Sequence, residues 1–163
     1  MFIAQDHAVT TSSAQLCETC RRIEALDLAE RRLAEWAHLD ITTQHPPDTT
    51  PQQGLVLVAH PPPAGTLTGR IELVLDGTAV ATLTLTCCTA CRIATLDYVH
   101  VAAGYRRLGY GRTLVAAAHA RTTGYRRTAP LPDGAVAQAF RARISYPSPG
   151  QLCLHRQPRD TGR

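Results

Sequence analysis

The run Arg106-x-x-Gly109-x-Gly111 carries the clearest chemical signal in this chain. It follows a strand-like segment and runs into a helix. Gly109 and Gly111 let the backbone approach a ligand without Cβ atoms, and the first N–H groups of the following helix have no intrahelical acceptor. The helix dipole adds partial positive charge at that end, so the loop has the makings of a phosphate cradle formed by the amides of Arg107 to Arg112. Two further groupings could do chemistry. Asp97 and His100, in the strand that feeds the loop, are candidate proton acceptors. Cys17-x-x-Cys20 and Cys88-x-x-Cys91 have metal-knuckle spacing and together offer the four thiolates of a structural zinc site. The same cysteines also read as small apolar fillers, with Cys20 on the buried helix face, or as a redox pair.

The elements that must position these residues follow from local signals. Arg92 to Val101 is rich in β-branched and aromatic residues and predicts a strand; Thr113 to Thr123 predicts a helix closed by Gly124. Upstream, Leu55 to His60 predicts a strand stopped by Pro61-Pro62-Pro63. Arg70 to Leu75 and Thr78 to Thr86 predict a hairpin about Asp76-Gly77. Downstream, Tyr125 to Thr128 reads as a short strand, Asp133 as the cap of a helix reaching Ile144, and Gln151 to His155 as a last strand. Ser12-x-x-Gln15 has the form of a capping box and predicts a long amphipathic helix with Leu16, Cys20, Ile23, Leu26, Leu33 and Trp36 near one face. The proline- and threonine-rich stretch from Thr43 to Gly54 reads as a linker. The chain thus divides into 1–54, a helical element and linker, and 55–163, an α/β core, within one compact domain.

A dinucleotide fingerprint needs G-x-G-x-x-G and a P-loop needs Gly-Lys-Ser/Thr; neither is present. The loop instead resembles the R/Q-x-x-G-x-G/A signature of the GNAT superfamily of N-acetyltransferases. The order hairpin, strand, glycine loop, helix, strand, helix, strand, from about Arg70 to His155, is similar to the core of that superfamily. Ala137 to Tyr146 resembles a weakened form of its A-x-x-F-Y-x-K-x-G-F segment. The resemblance implies a mixed, mostly antiparallel sheet flanked by helices, and an acyltransferase moving an acetyl group from acetyl-coenzyme A to a primary amine through a tetrahedral intermediate.

It also implies site residues. Arg106, Arg107, Leu108, Gly109, Tyr110, Gly111 and Arg112 would hold the pyrophosphate, and the backbone of Val99, His100 and Val101 would polarise the thioester carbonyl. Asp97 and His100 are the candidate bases, because the family's glutamate position holds Thr95. Arg141 stands where the family has a tyrosine acid and would instead stabilise the departing thiolate, since arginine cannot donate its proton. Tyr98, Tyr110 and Tyr125 are alternative donors. The departures at Thr95 and Arg141 raise a second reading, a GNAT-like binding module with weak or no catalysis, stabilised by zinc.

Composition bounds the partners. The chain has 163 residues, net charge +4 and neither lysine nor asparagine, so all of its basic side chains apart from histidine are arginine. That positive field suits an anionic cofactor, and no aromatic-interleaved basic stripe points to nucleic acid. No lysine side chain is available for self-acetylation. Without an apolar run of membrane-spanning length or a basic leader, the expectation is a cytoplasmic protein with no membrane partner, acting as a monomer or homodimer on an unidentified amine. In that compartment the six cysteines are thiols, metal ligands or redox groups before they are disulfides.

Overall fold

Alternating apolar positions in the middle of the chain build a six-stranded sheet. The computed structural model describes residues 39–156, so the expected N-terminal helix, with Cys17 and Cys20, lies outside the described residues. The strands are β1 (Gln44–His45), β2 (Leu55–His60), β3 (Thr68–Leu75), β4 (Thr78–Cys88), β5 (Ile93–Val101) and β6 (Arg126–Thr128), and they lie side by side in chain order. The central pairs β2–β3, β3–β4 and β4–β5 are antiparallel; β1–β2 and β5–β6 are parallel. Helices α1 (Tyr110–Arg121) and α2 (Gly134–Ala142) complete the expected mixed α/β architecture with a mostly antiparallel sheet. Among the described residues no helix is long and apolar enough to cross a membrane.

The predicted hairpin forms because Asp76 and Gly77 both take positive φ, 47° and 78°, whose twist matches the flanking strands. Asp76 also accepts a hydrogen bond from the Gly54 amide through Oδ1 at 2.8 Å, which fastens the turn to the start of β2. On one face, Leu57, Ile71, Leu73, Leu83, Leu85, Ala94 and Leu96 form a continuous core with Leu114, Val115, Ala117 and Ala118 of α1. The small residues of α1 let the helix lie close on the sheet. The opposite face is threonine-rich in β4 and β5, with Thr86 and Thr95 buried.

Three expectations are corrected. The stretch from Thr43 to Gly54 contributes the two residues of β1, paired in parallel with Leu57 and Val58 of β2, so part of the supposed linker belongs to the sheet. Gln151 to His155 is not a strand. It is irregular up to a 3-10 turn at Leu154–Arg156, and the β-like contact in this region is a single bridge between Ala129 and Pro149. Helix α2 stops at Ala142, two residues short of Ile144, and Asp133 stands at its N-cap without a side-chain bond.

On the β2–β3 pair, Glu72 accepts from Arg70 Nε at 2.7 Å and lies 2.7 Å from His60 Nε2. Partial burial opposes its charge, but the bonds from Arg70 and His60 outweigh that and hold the carboxyl below its ordinary 4.5. A lowered carboxylate pKa contributes stability that is present above the unfolded value and lost as pH falls through the folded one. Glu72→Gln should therefore flatten the decline of Tm below about pH 4.5 while costing less than about 1 kcal/mol at neutral pH. Thermal scans of both proteins from neutral to acid pH check this; parallel curves would show the cluster contributes nothing.

Candidate functional site

The site is organised by an irregularity in β5. Thr84 pairs with Tyr98 and Leu85 with Leu96, so Asp97 is an extra residue with no register partner across β4, a β-bulge. Strict alternation would put Asp97 on the same face as Val99 and Val101. The bulge changes this: Leu96, Val99 and Val101 share the face packed against α1, whereas Asp97 Oδ2 accepts a 2.6 Å hydrogen bond from Thr86 Oγ1 of the threonine face. Thr86 Oγ1 is in turn 2.8 Å from Thr68 Oγ1, which makes a hydroxyl chain ending on the carboxylate. His100 is exposed on the threonine side of β5 and stacks with Tyr98, ring centroids 6.3 Å apart.

Beside the bulge the sheet opens. Strand β6 pairs with β5 only from Ile93 to Thr95, so from Leu96 to Val101 that edge faces no strand among the described residues. Tyr146, after α2, sits next to this edge: its hydroxyl donates to the Leu96 carbonyl at 3.1 Å. Burial raises the Tyr146 pKa and the nearby Asp97 carboxylate adds to the rise, with Arg141 opposing. The Arg141 guanidinium lies 4.4 Å over the Tyr146 ring and donates to the Pro130 carbonyl. Its donors are thus partly committed to the protein itself.

The glycine loop follows β5 directly. Arg106 Nε donates to the Val101 carbonyl at 3.1 Å, clamping the loop to the strand end after a 3-10 turn at Ala103–Tyr105. Arg107 at φ 65° and Gly109 at φ 86° are both left-handed. For arginine that conformation costs on the order of 1–2 kcal/mol, so the loop is held by its surroundings. Leu108 is half-buried against the core, and Tyr110, 1% exposed, stacks on Tyr105 at 6.2 Å. Both side chains anchor the loop and point away from any ligand at the helix start.

Gly109 is the N-cap of α1 and supplies no side-chain acceptor, while Thr113 N to Gly109 O is the bond that starts the helix. The amides of Gly111 and Arg112 precede it, in the first turn, where the helix itself supplies no acceptor. Arg106, Arg107 and Arg112 are exposed around this end, and the first turn carries no acidic residue. Gly111 has a different reason from the expected one. A Cβ there would lie 2.8 Å from the Phe140 ring, so its smallness admits α2 against α1. The donor set fits an anionic phosphate group.

No protein-family model matches the chain, and no curated protein matches it. Among solved structures it is similar to nourseothricin acetyltransferase, at 24% identity and a TM-score of 0.32, the match covering 36% of this chain and 36% of that one.

Two features of the site have no clear signal in the sequence. Tyr146 was not among the candidate donors, yet it meets β5, whereas Tyr110 is buried in the core and Tyr125 is held under Arg92, whose guanidinium lies 4.6 Å from its ring. Its place in the weakened family segment is the only sequence signal for it.

The second feature is a cysteine cluster at the far end of β4. Cys88 and Cys91 are there as expected, accompanied by Cys153 and His155. Hydrogen bonding by the Cys91 amide and the Cys153 side chain lowers the Cys88 thiol to about 7, and bonds to Cys153 and Cys88 push Cys91 up to about 12. The sequence separation of the two halves concealed the grouping.

Proposed function

We propose that the protein is a GNAT-type N-acetyltransferase that moves an acetyl group from acetyl-coenzyme A to a primary amine of a small molecule or protein. The observation that carries this reading is the adjacency of three parts: a bulged strand edge that faces no strand among the described residues, a left-handed glycine loop, and a helix start without a side-chain cap. A strand edge offers amides to an extended thioester arm and its carbonyl, and the helix start offers amides and a dipole to the pyrophosphate.

In this reading a neutral amine attacks the thioester carbonyl carbon, the C–N bond forms, and collapse of the tetrahedral intermediate breaks the C–S bond. The amine proton passes to Asp97, whose carboxylate Thr86 orients, or through water to the exposed His100. The thiolate departs beside Arg141 and Tyr146. Tyr146, kept protonated by burial, is the better proton donor; Arg141 supplies charge. A thiol of ordinary pKa near 8.5 leaves readily enough that either assistance is sufficient.

The engagement of Arg141 with Pro130 and Tyr146 favours the second reading, a coenzyme-binding module with little turnover. Titration calorimetry with acetyl-coenzyme A, paired with coenzyme A release over a panel of amines, tests both. Binding with turnover supports the enzyme, and binding without turnover supports the module. Absence of binding removes both.

A further inference from the structure

We propose that Cys88, Cys91, Cys153 and His155 form a structural zinc site that fastens the C-terminal segment to the β4–β5 turn. Cys88 ends β4, Cys91 lies in the turn, and Cys153 and His155 come from the segment that follows α2. Their ligand atoms all lie within 4.8 Å of one another.

His155 Nδ1 is 3.5 Å from Cys88 Sγ, 3.3 Å from Cys91 Sγ and 3.3 Å from Cys153 Sγ. One ring nitrogen carries at most one proton, so hydrogen bonding satisfies one of these sulfurs and leaves two against it. A tetrahedral metal explains all three at once. Bonds of about 2.3 Å to sulfur and about 2.0 Å to nitrogen put tetrahedral ligand atoms about 3.5 to 3.8 Å apart. The three sulfur–nitrogen separations and the 3.4 Å between Cys91 Sγ and Cys153 Sγ need only a few tenths of an ångström of adjustment.

The backbone around the cluster is shaped for thiolates. The His155 amide donates to Cys153 Sγ at 3.3 Å. Such amide-to-sulfur bonds stabilise metal-bound thiolates and set their orientation. Arg92, at φ 53°, turns the chain out of the Cys-x-x-Cys loop into β5. Three soft thiolates and one imidazole fill a tetrahedron with no position left for water, the ligand set of a closed structural zinc site and not of a catalytic one.

The segment also needs such a fastening. Beyond the bridge at Pro149, the apolar contact given to its last stretch among the described residues is Cys153 packed with Cys88, Ile93 and Leu67, while Leu154 beside it is 74% exposed. The cysteines there are unpaired thiols, and Cys91 Sγ and Cys153 Sγ are 3.4 Å apart, well beyond a bond of about 2.05 Å.

The test uses the full chain, expressed with zinc and purified without chelator. Elemental analysis should find about one equivalent of zinc, and cobalt substitution should give the visible spectrum of a tetrahedral site with thiolate charge-transfer bands. Cys153→Ser and His155→Ala should each lower the zinc content, and stripping with a chelator should expose the C-terminal segment to protease. The double variant Cys17→Ser, Cys20→Ser should keep its zinc. Should a single variant fail to fold, the cobalt spectrum of the unaltered chain still decides the ligand set, since three thiolates and four differ in charge-transfer intensity. Zinc below about a tenth of an equivalent with no cobalt binding overturns the site. So does a Cys91–Cys153 disulfide in protein isolated from a reducing cytoplasm, or zinc that depends on Cys17 and Cys20 and survives loss of Cys153 and His155.

Discussion

Replacing Gly109 with valine should weaken acetyl-coenzyme A binding by at least about a hundredfold while leaving most of the fold in place. Gly109 sits at φ 86°, where a β-branched residue is strongly disfavoured, and it is the last residue before α1. To relieve the strain the loop must rotate its peptide planes, which turns the amides from Leu108 to Tyr110 away from their common direction. The body of α1 does not follow, because Tyr110, Leu114, Val115, Ala117 and Ala118 are buried against the sheet. Stability should fall by about 1–2 kcal/mol, a drop in Tm of several degrees. Calorimetric titration and a thermal scan on the same sample separate the two effects. Unaltered affinity in a folded variant would show that the loop is only a strand-to-helix turn.

Changing Asp97 to asparagine should lower turnover on a genuine amine substrate by on the order of a hundredfold near neutral pH, with partial recovery at high pH. Asparagine keeps the size of the side chain and an oxygen to accept the 2.6 Å bond from Thr86 Oγ1, so the bulge should persist. What disappears is the capacity to take a proton. Recovery at high pH follows because the acceptor amine then arrives already deprotonated. Acetyl-coenzyme A affinity should hardly change, since the carboxylate lies in the strand and not in the loop proposed to meet the pyrophosphate. A pH–rate profile identical to that of the parent would make Asp97 a structural partner of Thr86 and leave the proton to water or His100.

Much of this architecture was legible because its signals are local. Asp76-Gly77 specifies a hairpin through two positive φ angles, and Gly109 and Gly124, at φ 86° and 82°, bracket α1 as N-cap and terminator. Each such signal acts within a few residues of its own position, so reading along the chain suffices. The mostly antiparallel sheet follows from the same strands once the hairpin is set.

Tertiary structure decided the rest, and the reason is that pairing is not written in any one segment. Nothing in Ile93 to Val101 marks Asp97 as a bulge: no glycine or proline interrupts the run. The bulge exists only relative to β4, and it alone turns the carboxylate to Thr86 while Leu96, Val99 and Val101 share the core face. Gln151 to His155 alternates like a strand yet finds no sheet edge to join. Gly111 reads as room for a ligand until Phe140 of α2 is seen to fill the space. Cys88-x-x-Cys91 announces half of a metal knuckle, but only chain closure in space brings up Cys153 and His155. The sequence by itself determined the central strands, the hairpin turn and the glycine loop, each within reach of its own neighbours; which side chains meet across them was settled by the packing of segments far apart in the chain.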